Sequence, residues 1–444
     1  MHVSIDRPIP TLLVALALLW PAWSVAADGS DESTDAPPRL SRDDALQTAV
    51  ANNHDVSIAE TRITIADRNA SLGNADFLPT LRGVASQRHQ FGGSGMFGQN
   101  QFFSQTSFGL EASWLLFDGL GRFSTYDRLK TLRTVAELER RAEIERTLFE
   151  TAVAYDDVVR QRELLDTYRQ TVELSRERLE VARSKLEAGT GSKVDVNLAR
   201  VELYRDRSAV AEQKVALTEA KTELNRTMGR RADRRFRVES DIEVGSELDY
   251  DEALERAEQN NPALRAARRR VSATRERVDE AKAQRWPDIR LSLGYTYNEF
   301  HNGLAPEFDE TPGLEYGTTI SIPIFDGFRI RRRVKNARSE RTIRSTEVDR
   351  RLTELRKDVR DAHAALRRHL ERVELARESV ELAAENVDAA MAELEAGTAT
   401  QVEVRQVQLN RRDARTRLID AKYRARRAEL RLQRLMGALY EARK

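Results

Sequence analysis

The amino-acid sequence predicts a mainly α-helical chain with a membrane β-barrel portion, built as two tandem copies of one unit. Three observations carry this expectation. Every internal repeat shares one offset of 208 residues, heptads run unbroken over seven repeats, and period-two stretches reach nine to eleven residues. The first gives the duplication, the second a long coiled-coil helix, and the third a strand long enough to cross a bilayer.

Composition agrees with long solvated helices. Apolar residues make up 40% of the 444 positions, against the ~45–50% of globular domains, and charged residues 33%, against about 25%. The 73 basic and 72 acidic residues balance to +1, and 63 of the basic ones are Arg. This pattern reads as interleaved ion pairs and argues against a nucleic-acid partner. Cysteine is absent, which excludes disulfides, cysteine-ligated zinc, a cysteine nucleophile and lipidation at an N-terminal Cys. No enzyme class and no cofactor is indicated.

Along the chain, residues 1–27 read as a secretory signal peptide. Thr11 to Trp20 is a ten-residue apolar-biased run, too short to span a bilayer, and small residues allow cleavage after Ala26 or Ala27. The acidic, Pro-containing stretch 28–40 is expected to be flexible. No other apolar run reaches helical spanning length, so any membrane crossing must use strands.

Two structural repeats follow, at 41–229 and 249–437, joined by a linker at 230–248 and followed by a short tail at 438–444. The carrying pairs are Asn52-Asn53 with Asn260-Asn261, Pro79 with Pro287, and Phe117-Asp118-Gly119 with Phe325-Asp326-Gly327. EAGTGSKVDV from Glu187 recurs as EAGTATQVEV from Glu395, and Met228-Gly229 as Met436-Gly437. Each repeat is expected to hold two strands, at 80–90 and 106–117, then at 288–298 and 314–325. A long helical hairpin follows each pair, at 122–229 and 330–437.

The hairpins rest on heptads. Ile144, Thr151, Val158, Leu165, Val172, Leu179 and Leu186 recur at one position. Leu352, Val359, Leu366, Val373, Val380, Val387 and Leu394 match them, apolar in thirteen of fourteen places. Gly189 and Gly191 are expected to turn the first hairpin through positive φ. The strands rest on alternation, as in Leu291, Leu293, Tyr295 and Tyr297, and in Leu314, Tyr316, Ile320 and Ile322. Leu81–Gln90 has a weak apolar face and is assigned through its offset partner. Polar loops are expected at 91–105 and 299–313, and Pro79, Pro287 and the two FDG turns punctuate strand and helix.

Four strands cannot close a barrel, and open edges are not tolerated in hydrocarbon. A membrane location therefore needs two, three or four copies sharing eight, twelve or sixteen strands, with the helices extending the barrel as a hollow cylinder.

Over residues 40–437 the chain resembles the TolC-like outer-membrane efflux proteins, through the paired LFDG and IFDG turns, the paired EAGT turns and the tandem halves. The resemblance implies a homotrimer in outer-membrane lipid, with a twelve-stranded barrel and a twelve-helix periplasmic tunnel. It implies an exit duct for a tripartite efflux or type I secretion system, docked to a periplasmic adaptor (membrane fusion protein) and an inner-membrane transporter. Without cysteine, the chain falls with the members that are not lipid-anchored. Carried over by motif, Gly189, Thr190, Gly397 and Thr398 are adaptor-docking tips, and Glu403 and Asp195 belong to the periplasmic aperture. A second carboxylate expected three residues after Glu403 is Gln406 here. The other role open to Asp195 and Glu403 is that of a helix-start carboxylate favoured by the macrodipole.

Other readings carry less. None of the six histidines has the i, i+4 spacing of a helical metal pair, so no metal site is expected. Arg331-Arg332-Arg333 follows a strand and reads as a membrane-edge charge cluster. The rival architecture is a periplasmic coiled-coil scaffold or adaptor without a pore. It would leave the cell on osmotic shock, whereas a channel would need detergent.

Overall fold

A computed structural model describes residues 38–91, 102–238, 241–245, 248–302 and 305–440. The signal peptide and nearly all of the acidic N-terminus lie outside the described residues. The elements run β1 (Arg39–Leu40), α1 (Arg42–Asn52), α2 (His54–Asn69), β2 (Thr80–Phe91), β3 (Phe102–Phe117), α3 (Gly121–Glu187) and α4 (Lys193–Thr227). The second copy runs β4 (Arg237–Val238), α5 (Tyr250–Asn260), α6 (Pro262–Ala283), β5 (Asp288–Asn302), β6 (Ala305–Ser321), α7 (Arg329–Ala396) and α8 (Gln401–Met436). The 67-residue α3 and 68-residue α7 are each about 100 Å long at roughly 1.5 Å per residue.

The four long strands form one antiparallel sheet in the order β2-β3-β5-β6, leaving β2 and β6 as edges. Register places Leu110 beside Tyr295 and Tyr295 beside Leu314, with Ala112, Leu293 and Tyr316 in the next row. One sheet face is thus apolar across three strands, and Phe108, Leu110, Leu293, Tyr295 and Ile320 on it are all exposed. The opposite face carries Arg82 beside Glu111, and Ser107 donating to Asn298 at 2.8 Å. Among the described residues no helix is long and apolar enough to cross a membrane.

Several boundaries differ from the sequence expectation. Strand pairing extends into both expected loops, since β3 begins at Phe102 and β5 and β6 pair up to Asn302 and Ala305. The strand expected over 314–325 ends at Ser321, because Pro323 has no N–H to donate to a ladder. Arg39–Leu40, expected to be flexible, pairs in parallel with Arg237–Val238. The linker is also more than a connection: Phe236, Val238 and Ile242 are buried with Leu40 and Val158 in one core cluster. Of the two glycines in the first tip, only Gly189 has positive φ. Gly191 is instead small by need, as a Cβ there would lie 2.9 Å from the Leu186 nitrogen.

The offset pairs are the clasps of each repeat. Asn53 caps α2 and donates its side-chain amide to Thr227 O at 2.9 Å, while Asn261 caps α6 and donates to Leu435 O at 3.0 Å. Gly229 (φ +66) approaches Asn52 so closely that a Cβ would sit 2.3 Å from its carbonyl oxygen. At the sheet-to-helix junctions, Asp118 accepts from the Arg122 N–H at 2.7 Å and Asp326 from the Ile330 N–H at 2.6 Å. Gly119 (φ +70) is followed by Leu120 (φ 70), and Gly327 (φ +63) by Phe328 (φ 63). Two successive left-handed residues therefore reverse the chain in each copy, at a steric cost that the second, non-glycine residue bears. Pro79 and Pro287 stand immediately before β2 and before Asp288 of β5.

Most of the heptad positions form the seams, and Leu186, beside the first tip, is exposed instead. Ile144, Val158, Leu165, Val172 and Leu179 are buried on α3, and Val359, Leu366, Val373, Val387 and Leu394 on α7. Near the sheet, the helices lie side by side as α2-α3-α6-α7, with Arg140–Glu60 and Arg128–Glu280 across the first two contacts. Toward the tips, α4 and α8 take over from α2 and α6, and α3 carries both.

The hairpin tips and the acidic turn

The two tips are near copies. At the first, the Thr190 and Gly191 N–H groups donate to Lys185 O at 2.9 and 2.8 Å. At the second, Thr398 and Ala399 donate to Glu393 O at 2.9 and 3.2 Å. Gly189 (φ +76) and Gly397 (φ +80) face open space, since a Cβ at either would meet nothing within 4 Å. Both threonines turn their hydroxyls back onto the same carbonyls, at 3.3 and 3.1 Å. The tips are joined, since Lys185 Nζ donates to Leu394 O at 2.5 Å.

Asp195 and Glu403 each begin the returning helix in a capping box. The Ser192 hydroxyl accepts from the Asp195 N–H while the Asp195 carboxylate accepts from the Ser192 N–H, both at 3.2 Å. Thr400 and Glu403 repeat the exchange at 3.3 and 2.7 Å. The Thr400 N–H, and then its hydroxyl at 2.9 Å, hold the Glu403 carboxyl below the usual carboxylate range. In the single chain the helix-start role of both residues is therefore present, and Glu403 remains readily ionised. Gln406 donates to Asn410 at 3.0 Å and brings no second charge.

Just inside the tips lies a cluster that pattern reading does not single out. Arg405 of α8 makes a two-pronged ion pair with Asp206 of α4, at 2.7 and 2.9 Å, and meets Glu202 at 2.9 Å. Ser175 of α3 donates to the same Asp206 carboxylate at 2.5 Å. Arg178 is buried beside them, its Nε and Nη2 without hydrogen-bond partners, and burial followed by the Arg405 charge lowers its pKa to about 10. The available signal is a difference between copies: at the 208 offset, Arg405 corresponds to Asn197 and Asp206 to Ala414.

Away from the tips, Asp156 is buried between Arg42 at 3.6 Å and Arg426 at 3.9 Å, and burial raises its pKa to about 6. Glu163 is raised to about 7, by burial first and then by its hydrogen bond with Asp241. No group of three or more metal-ligating side chains occurs among the described residues.

Comparison with known proteins places this geometry. A family model described as outer membrane efflux protein matches residues 45–230 and again 253–438, the two repeats. The chain is 24% identical over 300 residues to protein CyaE of Bordetella pertussis. That match covers 67% of this chain and 63% of the relative, so the chain spans less than two thirds of that protein's length. Among solved structures, it is similar to the outer-membrane channel OprN, with TM-score 0.74, 18% identity, and coverage of 89% and 90% of the two chains. It is also similar in fold to the outer membrane protein VceC from Vibrio cholerae, with TM-score 0.72, 18% identity, and 89% and 96% coverage.

Proposed function

The chain belongs to the outer membrane efflux protein family, and from that premise we propose that three copies form the exit duct of a tripartite export system. The observation that carries this reading is the seam between the repeats. α3 packs against α6 and α8 of the second repeat, and β3 pairs with β5. The 208 offset turns α3 into α7 and β3 into β6, whose corresponding sides pack against no other helix or strand to a comparable extent among the described residues. Ile343, Leu375 and Leu382 stand exposed on α7, as do Ile58 and Ile65 on α2, and Val194 and Val201 on α4.

Repeating the same step sets α7 and β6 of one copy against α2, α4 and β2 of the next. Three copies, the number the family resemblance implies, give a ring of six units with twelve strands and no open edge. The apolar sheet face then meets outer-membrane lipid, and the helices continue as a periplasmic tunnel. The open glycines at the tips, Gly189 and Gly397, suit the close approach of an adaptor backbone, through which an inner-membrane transporter feeds the duct. Glu403, ringed by its two symmetry mates, constricts the aperture.

Fractionation tests the reading. The protein should resist osmotic shock, extract from outer membranes only with detergent, and show the mass of three chains in that detergent. Release by osmotic shock as a single chain would leave the scaffold architecture as the answer.

A further inference from the structure

The duplication provides an internal control for one cavity. Between α7 and α8 a space of about 450 Å³ is lined by His369, Arg372, Leu375, Ala376, Arg417 and Arg424, among others. The same place between α3 and α4 is bridged, since Gln213 donates to the Gln161 side chain at 2.7 Å and to its carbonyl at 3.1 Å. At the 208 offset Gln213 becomes Ala421 and Tyr168 becomes Ala376, which removes the filling. Leu164, Ala209 and Ala216 become Arg372, Arg417 and Arg424, which adds three positive charges. One copy of an otherwise matched hairpin has thus been emptied and made basic at a single spot.

The cavity has the chemistry of an anion site with an apolar floor. Its carboxylate, Asp420, is engaged by Arg160 at 2.7 Å. Arg372, Arg417 and Arg424 have no ion pair among the described residues, and His369 Nδ1 has no hydrogen-bond partner. The small Ala376 and Ala421 leave room for a flat apolar body. Arg417 and Arg424 lie two and three heptads beyond Glu403 on the same exposed stripe of α8. If Glu403 faces the tunnel axis, so do they, at about 21 and 32 Å from it.

We infer that this α7–α8 groove binds an amphipathic organic anion, an acid group on a compact apolar body, inside the duct. The inference rests on the duct reading above and adds the class of molecule that the wall accommodates. Paired guanidinium groups hold the sulfonate or carboxylate through charge-assisted hydrogen bonds, while the alanine floor receives the body. The acidic mouth at Glu403 repels the same anion, so access is easier from the barrel end.

The full chain, reconstituted in planar bilayers, tests this with naphthalene-2-sulfonate as probe and 2-naphthylmethylammonium as its cationic counterpart. The sulfonate added from the barrel side should block the ion current, and the ammonium from that side should not. Arg424→Ala should raise the half-blocking concentration about tenfold, the loss expected for one charge-assisted contact. Ala376→Tyr, which restores the residue of the first repeat without removing charge, should do the same. Block that is unchanged in both variants overturns the site. Trimers that fall apart on Arg417→Ala or Arg424→Ala, with no block in the parent protein, would assign these arginines to the neighbouring copy instead. Absence of any ion current in the parent protein would sink the duct reading itself, and this inference with it.

Discussion

Arg405 reaches from the second hairpin to grip Asp206 of the first, both terminal guanidinium nitrogens within 2.9 Å of the carboxylate, with the side chains only 11% and 4% exposed. The seam this pair closes is the one inside a chain. In the proposed ring, the matching seam between chains would bring Ala414 opposite Asn197 of the next copy, with no ion pair at all. Opening at the tips would then begin between chains, and the hairpins of one chain would move together.

The first prediction follows from that asymmetry. Asp206→Ala leaves Arg405 and Arg178 buried with Glu202 as their remaining carboxylate. Breaking such a buried pair costs about 3–5 kcal/mol. The variant should melt at lower temperature and conduct more in planar bilayers, whereas Asn197→Ala should change neither. Equal effects from both substitutions would show that the pair is not what distinguishes the seams.

The second prediction concerns pH. Burial raises Asp156 to about 6 and Glu163 to about 7, both above their unfolded values of 3.8 and 4.5. A raised carboxyl pKa favours the protonated folded chain, so its contribution is complete below the unfolded value and is lost as pH rises through the folded one. Thermal stability should therefore increase as pH falls from about 8 to about 5. For Asp156 the effect is at most about 3 kcal/mol. Asp156→Asn combined with Glu163→Gln should flatten the profile across that window, as read by circular dichroism melts; a profile that is unaltered would assign the dependence elsewhere.

How much is legible in the sequence depends on whether a feature repeats. The hairpins, tips and FDG junctions are visible because each occurs twice at one offset, and heptad burial then follows from periodicity alone. Strand ends are not, because polar residues such as Thr311 and Glu310 continue a ladder that no apolar alternation announces. The insertion of Leu40, Phe236 and Ile242 into the core is hidden, since single apolar residues in a polar stretch have no period. Arg405 and Asp206 are hidden for the opposite reason: among 63 arginines, only the fold shows which one is desolvated.

The third prediction tests the lipid face. Leu293 and Ile320 are 48% and 60% exposed on the apolar side of the sheet. Leu293→Asp or Ile320→Asp places a charge there, at a cost on the order of 2–4 kcal/mol near the bilayer midplane. Heat-modifiable trimers in outer-membrane fractions should be lost. By contrast Arg290→Gln, whose side chain lies on the other face, should assemble as the parent does.

The fourth prediction concerns the tips. Gly189→Leu and Gly397→Leu force a side chain into left-handed backbone, at about 1–2 kcal/mol each, yet meet no neighbouring atom within 4 Å. Trimers should form while export fails. Thr398→Trp adds bulk without backbone strain, and it separates docking from stability. If export persists in Thr398→Trp and in the double glycine variant, the adaptor docks elsewhere.

The fifth prediction is the aperture charge. In the single chain the Thr400 N–H and hydroxyl favour ionised Glu403, so the lowered pKa contributes stability above the unfolded value of 4.5 that is lost as pH falls through the folded one. Three such carboxylates around an axis oppose this, because each charge raises the pKa of the others. The two effects have separate origins: the cap is local to each helix, whereas repulsion needs the ring. Glu403→Gln keeps an oxygen acceptor for Thr400 but removes the charge, so it isolates the ring. The parent trimer should show low conductance, cation preference and block by multivalent cations added from the periplasmic side. Glu403→Gln should weaken both the preference and the block while melting near the parent temperature. Asp195→Asn, one capping box away on the other hairpin, should mainly raise conductance. Selectivity that is unchanged in Glu403→Gln would leave that carboxylate as a helix cap alone and move the constriction to another level of the tunnel.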